Sequence, residues 1–311
     1  METGLRIRVA TLAASSQGIG RAAAHGFASE GCRVAMCARN QTALRQTAEK
    51  IQQQYDVPVF AEAFDVTDAG GVRDFVRAVV SRFGSADICV TNAGGPPAKG
   101  FLATNHDDWR KALDQNFLRG VHFAHEVIPH MQSKCWGRII TITSITTKQP
   151  VPDLVLSNAV RTAVVGLVKS LANEFGKDGI LVNNVAPGYT ATDRLKELAK
   201  SRSAATQKSE KDIYDAWAAE SALTRRPARR GCRCHRVAGV GKSVVHYRTD
   251  HPGRWWRVQG PLENSWQNYT PPNPIAKLGF FLVLLANPIS RGSCGSKIPN
   301  AASMRFRIGR E

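Results

Sequence analysis

Near the N-terminus the run Ala14-Ser15-Ser16-Gln17-Gly18-Ile19-Gly20, rich in small residues, separates an apolar stretch from a helical pattern. Small residues between a strand and a helix let backbone N–H groups approach a pyrophosphate at the helix N-terminus, where the dipole favours negative charge. A pair of glycines alone equally suits a plain tight turn. Its place, after the first strand and opening the first helix, makes it a candidate nucleotide-binding turn. Other reactive residues carry less. His122, His125 and His130 lie on one helical stretch, but no carboxylate or cysteine completes a metal set, so they read as surface histidines. Cys232-Arg233-Cys234-His235 has the look of a zinc knuckle, yet only Cys294 follows it, and no metal is expected.

The elements that must position these residues alternate. Strand-like runs are Leu5 to Ala13, Arg33 to Ala38, Pro58 to Phe64, Ala86 to Thr91, Arg138 to Thr143 and Ile180 to Val185. Helical patterns fall at Ile19 to Glu30, Gln41 to Gln54, Gly71 to Phe83, Asp107 to Ser133 and Ser157 to Gly176. Apolar strands alternating with helices argue for an α/β fold, a parallel sheet covered on both faces. Right-handed crossovers then make it a doubly wound Rossmann-type sheet.

Of the 311 residues, 43% are hydrophobic and 22% charged, a balance that excludes a disordered chain. No apolar run approaches the ~20 residues of a membrane span; the longest is Phe280 to Ala286. Met1 to Arg8 leads into Ser, Gln and Gly rather than a cleavage site, so a cytoplasmic protein without a membrane partner is expected. Seven scattered cysteines favour reduced thiols. The net charge of +17 is uneven. Residues 1–220 carry 26 Lys and Arg against 22 Asp and Glu, whereas residues 221–311 carry 16 against 3. The division expected is a nucleotide-binding domain with its active site in 1–220 and an aberrant basic tail in 221–311.

Over about residues 5–220 the chain resembles a short-chain dehydrogenase/reductase. The family's Thr-Gly-x-x-x-Gly-x-Gly is matched from Gly18 onward, with Ala13 and Ala14 replacing its Thr and first Gly. Alanine is tolerated at position 14 only if its φ is negative. Asn92-Ala93-Gly94 matches the motif after the fourth strand, Asp65-Val66 the adenine-contacting pair, and Pro187-Gly188 the segment beside the nicotinamide. Where a carboxylate would read the ribose 2′-hydroxyl of NAD, the second strand ends in Cys37-Ala38-Arg39-Asn40. Arg39 suits the 2′-phosphate of NADP, so NADP(H) is the expected cofactor; a solvated arginine is the bland alternative.

The resemblance implies an active site of Asn, Ser, Tyr and Lys. Asn116 and Ser144 match the first two, but Ser157 stands for the Tyr and Arg161 for the Lys. A phenol with a pKa near 10 can be tuned for proton transfer. A serine hydroxyl is a far weaker acid, and an arginine stays protonated. The roles expected are therefore different. Ser144 and Arg161 stabilise charge on a carbonyl oxygen, water near Asn116 supplies the proton, and Arg161 also holds the nicotinamide ribose. Tyr189 is a lesser candidate acid, more naturally a packing residue. The pattern Ser-x-x-x-Arg resembles an atypical subgroup described as 3-oxoacyl-carrier-protein reductase-like. The expected substrate is a small carbonyl or alcohol compound, an acyl thioester among the possibilities, and an intact family member is expected to be a homo-oligomer. The rival reading is a nucleotide-binding pseudoenzyme.

From about Ser221 the tail loses all periodicity. Read one base later, codons that encode Arg229 to Arg257 also encode DEDVAATAWLASERASYITGQIIPVDGGV, with only the middle base of each new codon free. That string is similar to the family's last helix and last strand. The expectation is a frame-shifted C-terminus that cannot supply the last strand, leaving a sheet edge open. The alternative is a basic extension in which Arg225 to Arg257, with Trp255 and Trp256, binds nucleic acid; nothing else in the chain supports such a partner.

Overall fold

The computed structural model describes residues 4–219. The Cys232 to His235 run, the basic arm, the frame-shifted string and the 221–311 tail lie outside the described residues. Among the described residues six strands form one sheet: β1 (Val9–Leu12), β2 (Arg33–Ala38), β3 (Val59–Ala63), β4 (Ile88–Thr91), β5 (Gly137–Ile142) and β6 (Ile180–Val185). Every pairing is parallel, in the order β3-β2-β1-β4-β5-β6. This is the doubly wound Rossmann-type sheet expected from the alternation. Strands β1, β4 and β5 are buried along their whole length, because helices cover both faces.

Helices α1 (Gly18–Ser29) and α2 (Gln41–Tyr55) pack on one face, where Leu12, Phe27, Met36, Leu44 and Ile51 form a core. Helix α3 (Ala69–Phe83), with the pair α4 (His106–Leu113) and α5 (Arg119–Ser133), lies on the other side of the fold with α6 (Val155–Phe175). Phe75, Phe123, Val127 and Val168 centre that second core. Helix α6 has the length and hydropathy of a membrane span. It nonetheless buries Leu156, Val160, Val164 and Val168, a stripe at four-residue spacing, as the core helix of a globular fold would.

Three segments differ from the sequence expectation. Leu5 to Arg8 is a turn instead of the start of β1; Ile7 has φ 64° and the Arg8 N–H donates to the Leu5 carbonyl at 3.0 Å. The long helix expected over Asp107 to Ser133 is interrupted by one π-helical turn at Asp114–Leu118. The wider turn breaks the regular backbone pattern, and side chains meet carbonyls in it and just before it. Arg119 Nε donates to the Gln115 carbonyl at 2.6 Å, and Asn116 Nδ2 to that of Ala112 at 3.3 Å. Beyond β6 come two helices that no periodicity announced, α7 (Asp193–Thr206) and α8 (Glu210–Ala219). Ser209 and Asp212 cap α8 reciprocally, each backbone N–H donating to the other's side chain at 3.2 Å. The pair packs through Leu195, Ala199, Ile213 and Trp217.

Phe75 is fully buried, with the rings of Phe60, Phe64 and Phe123 at 5.8, 5.4 and 6.5 Å. Phe75→Ala is expected to cost about 3–5 kcal/mol, read as a lowered urea midpoint at unchanged slope. A loss below about 1 kcal/mol would mean that this cluster does not hold α3 to the sheet.

Candidate active site

A cavity of about 800 Å³ opens beyond the C-terminal ends of the strands, where the order reverses between β1 and β4. Ala14, Ser16, Gln17, Gly18 and Ile19 line it. Ser15 and Gly20 stand behind the wall. The Ser15 hydroxyl donates to the Leu12 carbonyl at 3.0 Å, fastening the turn to β1. A Cβ on Gly20 would run into the Ala14 carbonyl and lie 2.9 Å from Asn92 Nδ2, so this glycine permits the close packing of α1 on the turn. Gly18 has φ +57°, a conformation natural to glycine. Ala14 corrects the sequence reading: its φ is +48°, left-handed, not negative. The surroundings hold it there, since the Asn92 amide donates to its carbonyl at 3.3 Å. No side chain caps α1 at Gln17, so the first N–H groups of the helix are left for a ligand.

Toward one end stand Arg39, Asp65 and Val66, with Asn92, Ala93 and Gly94 along the wall. Arg39 is largely exposed, at 71% of its side chain, and Nη1 lies 3.9 Å from the Asp65 carboxylate. An exposed pair at that distance contributes little by itself, and the guanidinium is free to face an incoming anion. Asn40 caps α2, accepting from the Ala43 N–H at 2.9 Å, and the Thr47 hydroxyl donates to the Ser16 carbonyl at 3.1 Å. These bonds fix α2 and its leading arginine against the turn.

At the other end β5 delivers Ser144, whose Oγ accepts from the Thr146 N–H at 3.3 Å. The Ile145 N–H donates to the Pro187 carbonyl at 2.9 Å, which brings Pro187 and Gly188 alongside. Ser157, in the first turn of α6, has its hydroxyl 3.3 Å from that of Thr146. One turn further on, Arg161 Nη1 donates to the carbonyls of Thr143 at 2.7 Å and Ile142 at 3.4 Å. Its Nε is buried without a partner among the described residues. Burial, and secondly Arg194, push the Arg161 pKa down to about 10, so it remains a cation at neutral pH.

Ser144, Ser157 and Arg161 thus share one wall of the cavity. Asn116 does not line it. It is 2% exposed, in the π turn, and its Oδ1 has no partner among the described residues; Asp114 and Gln115 occupy the wall there. Tyr189 lines the cavity with its ring stacked on Trp217 at 4.8 Å, which accounts for it as packing. Sequence reasoning missed Arg194, at the start of α7. Its Nη2 donates to the Pro96 carbonyl at 2.6 Å, bridging from α7 to the loop after β4. It missed Thr146, Lys111 and Gln115 as well. Their place depends on how separate elements meet across the cavity, for which no spacing rule exists.

Residues 8–203 match the family model described as short chain dehydrogenase. A putative ketoacyl reductase of the granaticin polyketide synthase from Streptomyces violaceoruber is 33% identical over 210 residues, 67% of this chain and 76% of that protein. A 3-oxoacyl-(acyl-carrier-protein) reductase from Staphylococcus epidermidis is 33% identical over 194 residues, 61% of this chain and 78% of its own. Among solved structures, L-sorbose reductase from Gluconobacter frateurii, complexed with NADPH and L-sorbose, aligns with a TM-score of 0.70 at 29% identity. That alignment covers 76% of this chain and 90% of the other.

The left-handed Ala14 yields a stability prediction. A residue with a Cβ is disfavoured by roughly 1 kcal/mol or more in that conformation, and glycine is not. Ala14→Gly is expected to raise the melting temperature by about 2–4 °C. An unchanged or lower melting temperature would show that Ala14 is not held at positive φ.

Proposed function

The chain belongs to the short-chain dehydrogenase family, and from that premise we propose that it is an NADP(H)-dependent oxidoreductase interconverting a carbonyl compound and the corresponding secondary alcohol. The observation that carries this reading is the run of one cavity from Arg39, at the end of β2, to Ser144, at the end of β5. The first position meets a 2′-phosphate with a guanidinium where a carboxylate would repel it. The NADPH in L-sorbose reductase supports the same choice.

The turn from Ala14 to Ile19 and the open end of α1 suit the pyrophosphate. Asp65 and Val66 suit the adenine end, and Pro187 and Gly188 the nicotinamide end. The cofactor supplies the hydride chemistry; the protein supplies position and charge. Ser144 already accepts a hydrogen bond from the Thr146 N–H, so its own proton is available to a carbonyl oxygen. Arg161 adds fixed positive potential beside it, which matters more in a buried site than in water. Ser157 is too weak an acid to protonate the oxygen, so the proton comes from water in the open cavity. With Asn116 behind the wall, Gln115 and Asp114 are the groups placed to meet that water. The two relatives named as ketoacyl and 3-oxoacyl reductases support an oxoacyl compound as substrate. The loss of the phenol favours a second reading, a protein that binds the nucleotide without turnover.

Two experiments check this. Arg39→Asp is expected to weaken NADPH and to favour NADH relatively in a fluorescence titration. Equal affinities, unchanged by the substitution, would remove the basis for NADP(H). In steady-state assays Ser144→Ala is expected to lower turnover by ~100-fold or more, and Ser157→Ala by much less. Equal damage from both would refute the separate roles of the two serines; nucleotide binding with no turnover of any carbonyl would favour the second reading.

A further inference from the structure

Helix α6 carries a cation to the cavity wall that nothing among the described residues neutralises. Arg161 is 7% exposed, and its hydrogen bonds among the described residues go only to the Ile142 and Thr143 carbonyls. No ion pair among those residues includes it, and Nε has no partner there. Behind it Arg119 is also buried, with Nη1 unpartnered, and the two guanidiniums repel each other. From the start of α7, Arg194 adds a third positive charge that Arg161 feels. A buried charge without a counter-ion is strongly unfavourable, so a ligand that brings one gains more here than at an exposed arginine.

The surroundings define what kind of anion fits. Serine at position 157 leaves free the space that a phenol would fill. The hydroxyl-bearing side chains of Ser144, Thr146 and Ser157 line the same part of the wall as Arg161. A planar guanidinium with hydroxyl donors beside it is the partner set of a carboxylate. Nη1 donates to the carbonyl of Thr143, the residue before Ser144, which sets the guanidinium beside the strand end that carries Ser144, so a short substrate would span the two.

We infer that the wall formed by Arg161, Ser144, Thr146 and Ser157 holds a carboxylate of the substrate, which is therefore a short 2-oxo or 3-oxo acid, or the matching hydroxy acid, in free form. The inference rests on the proposed reductase activity and, among carbonyl substrates, selects the free oxo acid over an oxoacyl ester or thioester. A phosphate of the cofactor could supply the same negative charge, and the test separates the two sources.

The full chain, saturated with NADP⁺, is titrated calorimetrically with oxamate and with its neutral counterpart oxamide. Oxamate is expected to bind at least about 10-fold more tightly, the scale of one charge-assisted hydrogen bond. Arg161→Gln is expected to abolish that preference and Arg161→Lys to keep part of it, so a loss through misfolding of one variant is recognised by the other. Equal binding of the two probes, or a preference that survives Arg161→Gln, would overturn the inference. So would oxamate binding that appears without NADP⁺ and vanishes when it saturates, since the cofactor's phosphate would then occupy the site. In turnover, acetoacetate is expected to exceed ethyl acetoacetate in kcat/KM by about 10-fold. Preference for the ester would overturn the carboxylate and leave the reductase standing; failure to bind NADPH would overturn the reductase itself.

Discussion

The reversal of strand order between β1 and β4 leaves a crevice at the C-terminal edge of the sheet, and each functional group of this chain is placed by what borders it. Helix crossovers depart to opposite faces on the two sides of that point, so the flanking helices diverge from the gap. The Asn92 amide, at the end of β4, donates across it to the Ala14 carbonyl after β1. With the β1–β4 ladder and the Ala13 N–H donating to the Val90 carbonyl at 2.9 Å, that hydrogen bond ties the turn to the second half of the sheet, and it helps to hold an alanine in a conformation suited to glycine. Local strain at Ala14 thus accompanies a turn that brings α1 close to the cavity.

The reacting end obeys a different constraint. Arg161 links α6 to the last carbonyls of β5, so the helix cannot shift without giving up bonds inside the protein. Both bonds come from one nitrogen, Nη1, which anchors one corner of the flat guanidinium to two successive carbonyls. The same residue therefore fixes the helix and charges the cavity. With serine in place of a phenol, the site holds positive potential and hydroxyl groups but no strong proton donor. It is better suited to stabilising an oxyanion than to delivering a proton, which assigns the proton to water.

The sheet was legible because its strands are short apolar runs between turn residues, and β2 and β6 match their expected bounds. The cavity turn, Arg39 and the Ser144-Ser157-Arg161 wall were legible from position along the chain. The break at Asn116 was not. Apolar residues continue at helical spacing from α4 through α5, and no glycine or proline falls within the π turn at Asp114–Leu118. Within that turn Asn116 is buried behind the wall and Gln115 lines the cavity. The sign of φ at Ala14 was equally hidden, because it goes against local preference and its carbonyl is met by a tertiary partner, Asn92. Helix α7 is only weakly amphipathic and α8 spans just 10 residues, so neither offered a periodicity to read.

Whether a site without a phenol at position 157 still performs carbonyl chemistry is decided most directly by isotope transfer. The full chain is incubated with NADPH deuterated at the transferable position and a panel of oxo acids and ketones, and the alcohols are analysed by mass spectrometry. One deuterium is expected on the former carbonyl carbon, lost from the product pool when Ser144 is replaced by alanine. Tight NADPH binding with no deuterated alcohol from any member of the panel would contradict oxyanion-assisted reduction at this site.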